Sequence, residues 1–278
     1  MGTLLDNRHI ETTKQYKRPI ISIPALSAFP ELIHGFTTRF GGVSTGEYAS
    51  FNLNFNRLDP VTNVRKNYDI LSNELGVPLE NMVLSHQVHD KNVLIVRKEH
   101  KGMGIVRERS YKSIDGLITQ ETGLMLVTYY ADCVPVYFYD PVKKVIALSH
   151  SGWRGTFHNI AGETLRTMVE SFGCSPGNIY ISFGPHIKKC CFEVDRDVSD
   201  SFLSAYSWAE KFMAQRKDRK WNIDLEGIIA HNLIIRGINK EKISGCRVCT
   251  KCNNDTFFSH RGCKNQTGTG AAFLMIRG

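Results

Sequence analysis

The chain has 278 residues, 42% hydrophobic and 22% charged, the balance of an ordinary soluble globular protein able to bury a sizeable core. Its formal net charge of +8 favours acidic partners, either nucleic acid or small anions such as phosphate. The basic residues are spread out, however, and the densest run, Arg97 to Lys112, also carries Glu99 and Glu108, which argues for a solvated loop and against a nucleic-acid stripe.

Met1 to Arg18 is polar, lacks an apolar h-region and reads as an N-terminal arm, not an export signal. A cytoplasmic protein is expected, with its eight cysteines reduced and free to act as thiols or metal ligands. Pro19 to Ile23 reads as a short strand. Ile33 to Thr38 reads as a second, ending at Arg39-Phe40-Gly41-Gly42-Val43-Ser44, where two glycines predict a shaped turn. Asn52, Asn54 and Asn56 alternate with Phe51, Leu53 and Phe55. Asn is a poor strand former, so the pattern leaves two readings: asparagines that bond something, or an exposed edge strand. A helix starts at Asp59-Pro60, gathers Val64, Tyr68, Leu71 and Leu75 on one face and stops at Gly76. Ser85 to Asp90 precedes a strand over Val93 to Val96, and Lys98 to Lys112 reads as a flexible charged insertion. Ile114 to Ile118 is a strand with Asp115 at its glycine bend.

Leu124 to Tyr130, Val134 to Tyr139 and Val145 to Leu148 are rich in β-branched and aromatic residues and read as three strands. Asp132 and Pro135 interrupt the run from Leu124 to Tyr139, which is too short to span a bilayer, so no membrane association is expected. Ile160, Leu165, Met168, Val169 and Phe172 form the buried face of a helix closed by Gly173. A strand over Ile179 to Phe183 follows, then a helix marked by Val198, Phe202 and Tyr206, a basic connection from Lys211 to Lys220, a helix from Leu225 to Leu233, and a last strand over Ala271 to Ile276. No repeat or linker interrupts the order, which predicts one α+β domain over residues 1–278, the polar arm of residues 1–18 included.

The chemistry concentrates where Ala131-Asp132-Cys133-Val134-Pro135 and His150-Ser151-Gly152-Trp153-Arg154-Gly155 meet the ends of predicted strands. Strand ends are where a rigid sheet presents reactive side chains. A thiolate and an imidazole there suit zinc or copper, and a catalytic zinc takes a third protein ligand, for which His86 and His89 stand nearest in the chain pattern. Two further readings of the pair are a Cys133–His150 nucleophile and base, and a buried thiol beside a hydrogen-bonded histidine. Cys249, Cys252, His260 and Cys263, which follow Cys246, offer a structural zinc knuckle, while Cys190-Cys191 reads as structural. Arg154, in a glycine-flanked turn opening a helix, and Arg261, in Ser259-His260-Arg261-Gly262, are candidate anion contacts.

Taken together, Thr38 to Ser44, Ser50-Phe51-Asn52-Leu53, His86-Gln87-Val88-His89, Asp115 to Thr119, Ala131 to Pro135, His150 to Gly155, Gly184-Pro185-His186-Ile187 and Phe257-Phe258-Ser259-His260-Arg261 resemble the YfiH/YlmD family, and within it the Bacillus-type YlmD branch. Those proteins were formerly called laccase-domain or polyphenol oxidase proteins and are regarded as purine nucleoside phosphorylases. The resemblance implies a layered α/β sandwich with mixed sheets, and metal ligands at His89, Cys133 and His150. It also implies phosphorolysis of adenosine, inosine and S-methyl-5'-thioadenosine, with adenosine deamination alongside. The chain departs from the family pattern at Gly262 and Thr269, where arginines are usual, which puts a phosphate contact near the C-terminus in doubt.

The expected protein is thus a Zn2+ enzyme whose substrates are purine nucleosides and phosphate. Cys133, Asp115 and Arg154 are the catalytic candidates, and Arg39, Asn52 and Arg261 the substrate contacts. Asp115 or Asp132 would move protons, Arg154 and Arg39 hold phosphate, and Asn52 bond base or ribose. Three alternatives remain: Cu2+-dependent phenol oxidation at the same ligands, metal-independent Cys133–His150 hydrolysis, and a basic nucleic-acid-binding module built on Cys246–Cys263.

Overall fold

A strand buried on both faces has no polar side to present, so it reads as an unbroken apolar run. This explains the three central runs of the sequence. In a computed structural model that describes residues 20–263 and 266–278, β6 (Met125–Tyr130), β7 (Val134–Asp140) and β8 (Val145–Ser151) are buried at every position. The arm predicted over residues 1–18, and Pro19, lie outside the described residues.

Among the described residues the strands form two large sheets and a small one. The first runs β1 (Ile20–Ile21), β2 (Leu32–Thr37), β14 (Gly270–Ile276), β6, β3 (Met82–Leu84). The second runs β13 (Ile243–Ser244), β9 (Tyr180–Phe183), β7, β8, β5 (Gly116–Thr119), β4 (Val93–Ile95). Both are mixed: β3 pairs parallel to β6 and β4 parallel to β5, while β14, β7 and β8 pair antiparallel to their neighbours. The small sheet is β10 (Glu193–Val194), β12 (Trp221–Ile223), β11 (Met213–Gln215).

Alternation along the strands sorts the side chains into three cores. Leu126 and Tyr130 of β6, Ala272 and Leu274 of β14, Tyr137 and Tyr139 of β7 and Ile146 and Leu148 of β8 fill the space between the two large sheets. The opposite face of the first sheet, with Val127, Phe273 and Met275, packs on Val64, Tyr68 and Leu71 of α1 (Val61–Leu75). The opposite face of the second sheet, with Val136, Phe138, Val145 and Ala147, packs on α3 (Ile160–Phe172) and α5 (Leu225–Ile234). Two helices, α2 (Trp153–Phe157) and α4 (Arg196–Ala205), add to that layer. The result is an α+β sandwich of helix, sheet, sheet and helix. Glycines close α1 and α3 at Gly76 and Gly173, both with the left-handed backbone that a side chain disfavours.

Local expectations differ from the structure in four places. The Asn52–Asn56 stretch is not a strand: Asn52 and Asn54 each accept the backbone N–H two residues on, so the period of two is that of successive asparagine turns. Lys98–Lys112 is tied down, not loose. Met103 and Ile105 are buried, and the Tyr111 hydroxyl and Arg109 Nε both donate to the Leu84 carbonyl. The basic stretch from Lys211 to Lys220 turns through β11 into β12, with Met213 opposite Ile223. The third central strand continues past Leu148 to Ser151, which places His150 inside a strand. No helix among the described residues is long and apolar enough to cross a membrane.

Candidate metal centre

Between β6 and β7 the chain passes from the first large sheet to the second in three residues, Ala131, Asp132 and Cys133. Cys133 therefore sits at the seam of the two sheets. His150, on β8, pairs with Pro135 in the neighbouring strand and so lies beside it. His89 arrives from the loop after β3, held against β6 by Gln87, whose amide donates to the Tyr129 carbonyl and accepts the Tyr129 N–H. One ligand atom from each of His89, Cys133 and His150 lies within 4.8 Å of the others. The two imidazoles meet edge to face at 4.8 Å.

Asp115 organises this group. Its buried carboxylate accepts the consecutive backbone N–H groups of Val88, His89 and Asp90 at 2.9, 3.0 and 3.2 Å, and His150 Nδ1 lies 2.7 Å from it. Three amides aimed at one anion hold His89 at φ 66°, a left-handed backbone unusual for a side-chain-bearing residue. Burial pushes the Asp115 carboxyl up, but the hydrogen bond and charge of His150 and the backbone amides outweigh it and hold Asp115 below the usual carboxylate range. With Nδ1–H given to Asp115, Nε2 of His150 is the nitrogen left for a metal. Burial likewise opposes the ionised forms of Cys133 and His150. The imidazolium of His150, with hydrogen bonds from both histidines, nevertheless brings the Cys133 thiol down to about 6, and the thiolate and Asp115 bring His150 up to about 9. Space is as tight as charge: a Cβ on Gly152 would lie 2.9 Å from Cys133 Sγ and 2.9 Å from His89 Cδ2.

Two imidazoles and an ionisable thiol, with a carboxylate behind one of them, are a donor set suited to zinc that leaves a coordination position open. They line a cleft of about 340 Å³ together with Asn54, Asn56, Arg57 and His260.

From residue 33 to residue 277 the sequence matches the family model described as multi-copper polyphenol oxidoreductase laccase. The chain belongs to this family. It is 33% identical over 249 residues, 89% of each chain, to purine nucleoside phosphorylase YlmD of Bacillus subtilis. The crystal structure of the hypothetical protein YfiH from Bacillus licheniformis superposes with a TM-score of 0.90 at 28% identity, covering 96% of this chain and 99% of that one. That of YlmD from Geobacillus stearothermophilus superposes with a TM-score of 0.88 at 31% identity, covering 97% and 99%.

In this family member the other residues singled out by sequence fall differently. His86 turns from the group, its Nδ1 accepting the Ser113 N–H. Asn52 is fully buried: it accepts the Thr269 N–H and donates to Asp59, so it braces the cleft wall from behind, while Asn54 and Asn56 reach the surface of the cleft. Arg39 donates to the carbonyls of Ala49 and Asn254 and lies over the Phe258 ring, a strut between loops. Arg154 is exposed and stacks on Trp153. Arg261 donates to the Glu193 carbonyl over the Phe192 ring and lines a separate hollow with Trp153 and Glu193. Asp132 accepts Thr250 Oγ1, Ser259 Oγ and the Arg261 N–H, binding loop to loop without hydrogen bonding a metal-ligand candidate.

The proposed knuckle of Cys249, Cys252, His260 and Cys263 does not assemble. His260 lines the cleft, and Cys249 and Cys252 turn the other way to meet Cys190 and Cys191. Cys190 and Cys191, read from the sequence as structural, thus stand beside Cys249 and Cys252. Arg57 was not foreseen. It sits in the asparagine turns with Nε buried and, among the described residues, without a hydrogen-bond partner. Its only sequence signal is an arginine at the end of an asparagine run.

Proposed function

We propose that the protein is a zinc-dependent purine nucleoside phosphorylase acting on adenosine, inosine and S-methyl-5'-thioadenosine, with adenosine deamination as a second activity. The observation that carries this reading is the meeting of His89, Cys133 and His150 in a cleft that Arg57 also lines, its buried Nε without a hydrogen-bond partner among the described residues. The names of the relatives support it. A zinc ion held by the three side chains would supply Lewis-acid chemistry at its open position.

In phosphorolysis a phosphate oxygen bonds C1′ of the ribose as the C1′–N9 bond breaks, and the purine leaves with the electron pair and takes up a proton. Among the described residues Arg57, not Arg39, Arg154 or Arg261, is the arginine that lines the cleft, and it binds phosphate there in this reading. Its place among the asparagine turns offsets the arginines absent at Gly262 and Thr269. Asn54 and Asn56 present amides to ribose or base. His260 is the histidine outside the metal group that lines the cleft, and in this reading it hands a proton to the departing purine. Asp115 acts as a positioning residue, because both its oxygens are engaged behind His89 and His150.

Copper-dependent phenol oxidation fits less well. Multicopper chemistry draws on further histidine-rich copper positions, and the one other candidate metal group among the described residues consists of four thiols. Metal content and inosine turnover, with and without phosphate, test the proposal for the native chain and for Cys133→Ala. About one zinc ion per chain and phosphate-dependent hypoxanthine release should be lost together in the variant. Full turnover in the variant, or turnover independent of phosphate, would overturn it.

A further inference from the structure

We propose that Cys190, Cys191, Cys249 and Cys252 bind a second, structural zinc ion, remote in function from the catalytic cleft. Two segments separated by more than fifty residues of chain bring four thiols together, with each Sγ within 4.8 Å of the others. A tetrahedral zinc with Zn–S bonds of about 2.3 Å sets its sulfurs about 3.8 Å apart. Cys190 Sγ and Cys252 Sγ are separated by 3.8 Å, and Cys191 Sγ and Cys252 Sγ by 3.3 Å. The Lys188 backbone N–H points at Cys249 Sγ from 3.5 Å, a contact that favours a thiolate. Lys189 precedes Cys190 and Lys251 precedes Cys252, and a zinc bound by four thiolates carries net negative charge for them to offset. Cys246 stays outside the group. Its N–H donates to Glu226, and its carbonyl accepts Lys188 Nζ.

The ion would clamp the turn after β9 to the segment that carries His260. The same two segments are otherwise joined by the Thr250 N–H to the His186 carbonyl at 3.0 Å and by Arg261 lying over Phe192. None of the four thiols lines the cleft. All-sulfur coordination selects zinc over the hard cations, and an iron–sulfur site is the competing chemistry.

The test is zinc and iron content of the full chain, purified under reducing conditions, for the native protein, Cys133→Ala, Cys249→Ser/Cys252→Ser, and the exposed-site variant Cys190→Ser. The native chain should carry about two zinc ions, and Cys133→Ala and Cys249→Ser/Cys252→Ser about one each. Substitution by Co2+ in Cys133→Ala should give a strong thiolate-to-cobalt absorption that Cys190→Ser, added to the same background, weakens. Undiminished zinc in Cys249→Ser/Cys252→Ser, or iron in place of zinc, would overturn the proposal. If the catalytic reading fails instead, zinc is lost only in the Cys249 and Cys252 variant while Cys133→Ala keeps the native content.

Discussion

A carboxylate that accepts three consecutive backbone amides and an imidazole is held ionised and has no proton to give. Asp115→Asn would set an amide nitrogen against N–H donors and disturb both His89 and His150. The expected outcome is a 10- to 100-fold loss of zinc affinity, on the order found for supporting residues of metal sites, with turnover restored by added zinc. Turnover that stays low at full zinc occupancy would make Asp115 a participant in the chemistry. Arg57→Met should raise KM for phosphate by about tenfold or more, the scale of a lost charge-assisted hydrogen bond, with a smaller change in KM for the nucleoside. Equal changes in both in steady-state kinetics would remove Arg57 from phosphate. At this scale the sequence was informative where a residue's chemistry is rare, as at Cys133 and His150. It was silent where orientation decides. Arg39, Arg154, Arg261 and Arg57 are chemically alike, and only the backbone settles which guanidinium meets the cleft and which lies on Phe258, Trp153 or Phe192.

At the scale of elements, the site exists because β6 hands the chain to β7 across a sheet boundary and α2 starts immediately after β8. Gly152, which precedes α2, has φ −71° and ψ 179°, so alanine suits its backbone and only the space is wrong. Gly152→Ala should therefore leave the circular dichroism spectrum intact while lowering zinc occupancy, because the added methyl group presses on Cys133 Sγ and His89. Retained occupancy would mean that the three ligands have room to shift. The apolar runs over Leu124–Tyr130 and Val134–Tyr139, and the α1 and α3 stripes with their terminal glycines, were legible because burial on two faces and helical periodicity both leave a mark in composition. The β11–β12 hairpin was not. Its strands are three residues each and face solvent in part, so nothing apolar recurs often enough to register.

For the whole molecule the pertinent group is a buried neutral histidine. His34, in β2, accepts the Ile23 N–H at Nδ1. Burial, helped by the charge of Arg277, lowers its pKa to about 4 from the ordinary 6.5. The unfolded chain thus takes up the proton first: the contribution to stability is complete above pH 6.5 and is lost as the pH falls through about 4. His186, lowered to about 3 by burial and then by Lys188, acts in the same direction. Urea unfolding of metal-stripped protein should show stability falling between pH 6.5 and 4, and His34→Gln should flatten that fall by at most ~3 kcal/mol. An unchanged slope would assign the acid sensitivity elsewhere.

The position of β14 bears on how the protein is made. Leu274 pairs on one side with His34 and on the other with Leu126, so the first sheet has a gap at its centre until residues 270–276 are available. On a ribosome, β2 and β6 would wait through the synthesis of more than a hundred further residues with the edges that face β14 unpaired, exposed to other chains and to chaperones. The loop bearing His89 is held against β6 by Gln87, and the crossover bearing Cys133 leaves β6, so both hang from a waiting strand. Ion capture at the seam is therefore expected to follow the synthesis and docking of β14.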